Sequence, residues 1–305
     1  MGPIWFATLI FQREELVLRN FHRRFAGLLL SSVVALAAGT NNSIIEPAKA
    51  SPVAAASEEK LAGPGELVSD RPDFTESTEV VARGYVQLET GMVGERSGGD
   101  SGTAMAFTVP QPLARIGLTR KVELRIAGDG YQWQRNLAAG DRLRGASDPS
   151  FGAKVKLAQE TKRLPAIAVI GAVSTPIGHR DFTSYGYDPE VKICWSKAGP
   201  GGFAASGNVN FSSVTDAEGR LFNRAVSFSV GHDLPAGFGG YWEWYDLSLD
   251  RGLGHSSMFN MGITRSLGPD AQVDFLVGHT MSGNLPGWFS GMGLVIRRPL
   301  GMLVR

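Results

Sequence analysis

From Tyr85 onward, hydrophobic and polar side chains alternate with a period of two, the pattern of strands whose two faces meet different surroundings. In YVQLETGMV, Val86, Leu88 and Met92 share one face while Gln87, Glu89 and Gly91 share the other. VELRIAG sets Val122, Leu124 and Ile126 against Glu123 and Arg125. FGAKVKL sets Phe151, Ala153, Val155 and Leu157 against Lys154 and Lys156, and EVKICWS sets Val191, Ile193 and Trp195 against Glu190, Lys192 and Cys194. The alternation recurs in GFAASGNVNF, AVSFSVG, FNMGI, VDFLVG and GWFSGMGLVI. With less clear segments near 104–117, 166–175 and 241–249, it predicts about twelve strands.

The connections alternate in length. Short turns are predicted at 119–121, 161–163, 198–200, 235–237 and 268–270, and longer polar loops at 95–103, 135–149, 178–187, 214–220, 250–257 and 281–287. A membrane barrel distributes periplasmic turns and extracellular loops in this way. Lipid offers backbone groups no partners, so a sheet within it must close on itself. The expected fold is therefore all-β, a transmembrane antiparallel up-and-down β-barrel of about twelve strands, each roughly 9–11 residues within the bilayer. Tyr131, Trp133, Trp195, Tyr241, Trp242, Trp244, Tyr245 and Trp288 lie near strand ends, where aromatic girdles sit. Arg224 falls on the expected lipid face and demands a place near an interface. The faces of YWEWYDLSL stay unassigned, because aromatic residues occupy both.

The N-terminus reads as an address. Arg19, Arg23 and Arg24 precede an apolar run from Ala26 to Ala38, and Ala35-Leu36-Ala37 or Ala48-Lys49-Ala50 would serve as a cleavage site. That run is too short for the roughly 20 residues a spanning helix needs. The expected layout is a signal-peptide region over 1–50, a flexible periplasmic segment over 51–83, and an outer-membrane barrel over 84–305.

Composition narrows the function. The 39 glycines are too many for a helix-rich enzyme, and the mean hydropathy of −0.04 excludes a helical membrane bundle. Removing residues 1–50 takes five of the 30 basic and three of the 29 acidic residues. The remainder is nearly neutral, which argues against a nucleic-acid partner. The single cysteine, Cys194, excludes an internal disulfide and a Cys-based zinc cluster. No metal site and no cofactor are expected, since His179, His232, His255 and His279 are widely spaced. No Gly-x-Ser-x-Gly accompanies Ser174, Ser256, Ser257 or Ser282, so an enzyme is not expected.

The charges on the polar faces carry the functional reading. Glu89, Glu123, Arg125, Lys154, Lys156, Glu190, Lys192 and Asp274 share the expected interior face. There they would either constrict a pore and set its solute preference, or form a polar plug that stabilises the barrel. Asp70, Arg71 and Asp73 precede the first strand and are expected at the periplasmic mouth.

Several stretches, taken in order, resemble one known family. Asp70-Arg71-Pro72-Asp73 is followed by Gln87-Leu88-Glu89, then by LARIGLTRKVELRI (113–126), SDPSFGAKVKL (147–157) and AVSTPIG (172–178). This series is similar to the outer-membrane transporter-like proteins of the phenol-degradation meta-pathway (MetA-pathway) family. Ser147 stands where that family usually has glycine, and RRPLGMLVR replaces the usual aromatic C-terminus, which predicts weakened barrel insertion. The resemblance implies passive passage of small, aromatic or hydrophobic molecules across the outer membrane. The implied partners are outer-membrane lipid, the solute and the barrel-insertion machinery. A structural surface-loop protein, or a barrel-wall hydrolase, is the alternative.

Overall fold

The computed structural model describes residues 63–99, 102–136, 140, 142–251, 254–283 and 287–302. The expected signal region lies outside the described residues. Among the described residues there are fifteen strand segments: β1 (Tyr85–Gly99), β2 (Gly102–Val109), β3 (Leu113–Gly117), β4 (Val122–Gly128), β5 (Tyr131–Asn136), β6 (Arg142–Ala146), β7 (Pro149–Ala158), β8 (Ala166–Ser174), β9 (Asp188–Ala198), β10 (Phe203–Asp216), β11 (Gly219–Leu234), β12 (Phe238–Ser248), β13 (His255–Ser266), β14 (Ala271–Ser282) and β15 (Trp288–Pro299). All pairings are antiparallel, and β1 closes on β15 from Tyr85↔Pro299 to Arg96↔Trp288. Closure leaves no long open edge for lipid to meet.

These segments make twelve barrel strands, because three strands are each broken once. β1 pairs with β2 over its second half and with β3 over its first, so β2 and β3 are one strand. The break falls at Pro110 and Pro112, which have no N–H to donate to a ladder. β4–β5 breaks at Asp129-Gly130 and β6–β7 at Ser147-Asp148. The breaks lie side by side: Ser147 donates its N–H to the Gly130 carbonyl at 2.8 Å. Gly130 has φ 68°, and a Cβ there would overlap the Pro110 carbonyl, so glycine is needed on both counts.

Large apolar side chains point outward, among them Leu124, Ile126, Phe151, Ile193, Phe228, Trp242, Trp244, Met261, Ile263 and Phe275. The inward faces bury charged and amide side chains instead. A soluble sandwich would have the reverse arrangement, whereas lipid outside and a polar lumen inside require this one. β12 now has a clear assignment: Trp242 and Trp244 face lipid and Glu243 faces the lumen. Tyr241 and Tyr245 share the lumenal face, so they do not belong to the girdle expected of them. Arg224 is exposed on the outer wall near the loop end of β11, at the level of Ser248.

Two expected long loops are tight hairpins. β1 runs on to Gly99 against Gly102 of β2, and β10 to Asp216 against Gly219 of β11. The expected loop over 135–149 likewise contains β6. Above the bilayer both faces of a strand meet water, so the alternation that marks a strand within lipid disappears there.

Candidate functional site in the barrel lumen

The lumen is occupied by the chain's own N-terminal segment. Residues 63–84 precede β1, and Asp70, Arg71, Phe74, Thr75, Glu76, Thr78 and Val81 are all buried inside the barrel. This corrects the expectation of a flexible periplasmic segment over 51–83 for the residues described. The first 12 of that range lie outside the described residues. The physical reason is charge: the wall's cations outnumber the carboxylates beside them, Glu89, Glu123 and Glu190, and the segment supplies more.

Asp70 shows this most fully. Its carboxylate lies 2.8 Å from Lys154 Nζ, 2.5 Å from an Arg125 nitrogen and 3.4 Å from an Arg115 nitrogen. It also accepts from the Ser77 N–H and hydroxyl. Glu76 bridges Arg125 at 2.7 Å and Lys192 at 2.9 Å. Glu79 pairs with Lys156 at 2.6 Å. On the opposite wall the polarity reverses. Arg71 pairs with Asp274 at 3.2 Å and donates to Gln111, while Phe74 N–H, Thr75 hydroxyl and the Asn260 amide donate to Glu243. Asp73 faces Ser229 and Glu243.

The wall makes room for this segment. Gly91 and Gly293 are register partners, and a Cβ on either would overlap the Arg71 guanidinium. Near the periplasmic end, Arg297 donates to the carbonyls of Pro64, Gly65 and Glu66. The RR of RRPLGMLVR is thus part of β15, and Arg297 holds the start of the segment.

All eight interior candidates face the lumen, but not as open pore lining. Glu89 and Glu123 pair with Arg115 at 3.1 and 2.9 Å, and Glu190 pairs with Lys192 at 3.2 Å. Arg125, Lys154, Lys156, Lys192 and Asp274 are engaged by the segment as described. Sequence reading missed four residues: Arg115, Glu76, Glu243 and Arg297. Arg115 is fully buried and joins Glu89 to Glu123, and its position between outward-facing Ala114 and Ile116 was the available signal. Glu76 and Arg297 lack such a signal, because their partners lie far away in sequence.

Towards the extracellular end the lumen changes character. Val93, Ala225, Leu247, Met258, Leu276 and Phe289 form an inward-facing apolar cluster with Phe74 of the segment. The Phe74 ring lies 5.1 Å from Tyr245 and 5.7 Å from Phe289. Of the candidate histidines, His179 pairs with Asp181 at 3.4 Å in the 175–187 loop, while His232 and His279 pack edge-on against Phe203 and Trp288.

No curated protein sequence matches the chain. Among solved structures, an outer membrane channel from Pseudomonas putida F1 is 10% identical, with a TM-score of 0.57, over 73% of this chain and 98% of that one. A NanC porin is also 10% identical, with a TM-score of 0.45, over 69% and 98%. These likenesses concern the barrel fold. Residues 69–297 match the family described as "Putative MetA-pathway of phenol degradation", to which the chain therefore belongs.

Proposed function

We propose that the protein is an outer-membrane channel for the passive passage of small molecules, aromatic or hydrophobic ones foremost, with residues 63–84 as its internal gate. The observation that carries this reading is the division of the lumen. Towards the extracellular side Val93, Leu247, Met258, Leu276 and Phe289 pack into an apolar cluster against Phe74 of the segment, and withdrawal of the segment would bare that apolar surface to a solute. An apolar solute is stabilised by roughly 25 cal/mol for each Å² it buries there. It then meets a segment that, up to its junction with β1, is held to the wall by ion pairs and hydrogen bonds rather than by strand pairing.

The P. putida protein is named a channel, and by analogy of fold that name supports the same role. A structural surface protein would be served by long external loops, and the hairpins at 99–102 and 216–219 are tight. Conductance in planar bilayers tests the proposal, together with liposome flux of a small aromatic solute and of a sugar of similar size. Deleting residues 63–80 should raise conductance several-fold and admit both solutes. The intact protein should favour the aromatic one. Unchanged conductance after deletion would overturn the gate.

A further inference from the structure

The outer wall near the extracellular end carries a basic groove that the lumen does not use. Two rows of cross-strand partners run over five strands there. One is Trp288–Arg96–Met105–Arg135–Arg142 and the other, one pair nearer the bilayer, is Ser290–Gly94–Phe107–Trp133–Arg144. Partners directly opposite in an antiparallel sheet share a face. Exposure of Arg96, Arg135, Arg142 and Arg144 shows that this face is the outer one. Met105, Phe107, Trp133 and Trp288 are between 40% and 59% exposed. Between them lies a groove of about 870 Å³. Gly94 forms part of its floor, where an added Cβ would meet nothing nearer than the Phe107 ring at 3.9 Å.

Two physical arguments give this groove an occupant. Arg135 and Arg142 stand directly opposite each other, an arrangement that repels unless an anion lies between them. The two rows contain no carboxylate, Glu95 between them being buried on the opposite face, and none of the four arginines has an ion pair among the described residues. Arginine presents a planar fork suited to two phosphate oxygens. Immediately towards the bilayer lie Phe107 and Trp133, whose rings are 5.9 Å apart, at the height where an aromatic girdle meets acyl chains. We infer that this groove binds a phosphorylated, acylated glycolipid of the outer leaflet, lipid A. Its phosphates would sit among Arg135, Arg142 and Arg144, with an acyl chain over Gly94 and Phe107.

The inference stands apart from the channel reading, because its test involves no flux. The protein, folded in detergent, is titrated with bisphosphorylated lipid A, and binding is followed by native mass spectrometry and by tryptophan emission from the groove. Saturable one-to-one binding is expected. It should weaken at least tenfold in the combined R135Q/R142Q/R144Q variant, and equally for wild-type protein given dephosphorylated lipid A. Gly94→Leu, which fills the floor while keeping every arginine, should weaken it several-fold. Unchanged boiling-dependent gel mobility shows that each variant is folded. Equal binding of lipid A by the triple variant and wild type would overturn the proposal. So would equal affinity of the wild type for phosphatidylglycerol, which would mean a general attraction for anions.

Discussion

Asp70 is a residue whose loss cannot be absorbed locally. Three cations from three strands, Arg115 of β3, Arg125 of β4 and Lys154 of β7, converge on one carboxylate that is almost wholly buried. Replacing it by Asn removes the carboxylate the three share and leaves them only Glu76, Glu89 and Glu123, and breaking buried pairs in this way costs about 3–5 kcal/mol. Asp70→Asn should therefore lower the urea midpoint of tryptophan emission in detergent by a corresponding amount. Lys156→Gln is the control. Its partner Glu79 is 45% exposed, so the loss should be within about 1 kcal/mol. Equal effects of the two variants would refute the difference in burial. At this scale much could be read in advance, because period-two alternation alone marks Glu89, Glu123, Lys154 and Lys192 as inward. Their partners could not be read, since Arg71 meets Asp274 across 203 positions and Lys192 meets Glu76 across 116.

The strands were legible wherever lipid lies outside and a polar interior within. On β13, Phe259, Met261 and Ile263 face outward. Above them the level of Asp246 and Ser257 is polar, and below them Arg265 stacks over the Phe238 ring at 4.4 Å. Met261, 50% exposed, is thus near the middle of the apolar belt. An arginine at that depth costs about 2–4 kcal/mol, falling towards zero at the interfaces. Met261→Arg should accordingly destabilise the barrel in lipid vesicles by that amount, whereas Arg265→Met should change it by less than about 1 kcal/mol. Equal costs at the two positions, measured by urea unfolding, would mean that the belt has been placed at the wrong height. Where water lies on both sides the pattern fails, and β6 and the tips of β1 and β10 read as loops. The breaks at Pro110, Gly130 and Ser147 escaped notice for another reason. Each shifts the alternation by one residue, as from buried Thr108 to buried Gln111, or from buried Arg125 and Asp129 to buried Gln132 and Gln134, so the two halves do not read as one strand.

For the whole molecule, the question is whether the segment and the barrel form one cooperative unit or two. The lumen wall is unevenly charged: Arg115, Arg125, Lys154, Lys156 and Lys192 on β3, β4, β7 and β9 outnumber Glu89, Glu123 and Glu190 beside them, whereas Glu243 and Asp274 stand on β12 and β14. The segment matches that division, turning Asp70, Glu76 and Glu79 one way and Arg71 the other. Its position is therefore set by charge complementarity, which the sequence of the segment alone cannot express. If complementarity holds it, removing the charges on one side should release it without opening the barrel. In the combined D70N/E76Q variant, chymotrypsin should cut after Phe74, which is buried in the folded wild type. Conductance should rise towards that of the 63–80 deletion. Gel mobility should still shift on boiling, because the ladder of antiparallel strands is untouched. Rising conductance with full protease protection would mean that solutes pass beside a segment that stays in place. Cleavage without a rise in conductance would mean that the wall itself closes the path, and residues 63–84 would then be a stabilising plug rather than a gate.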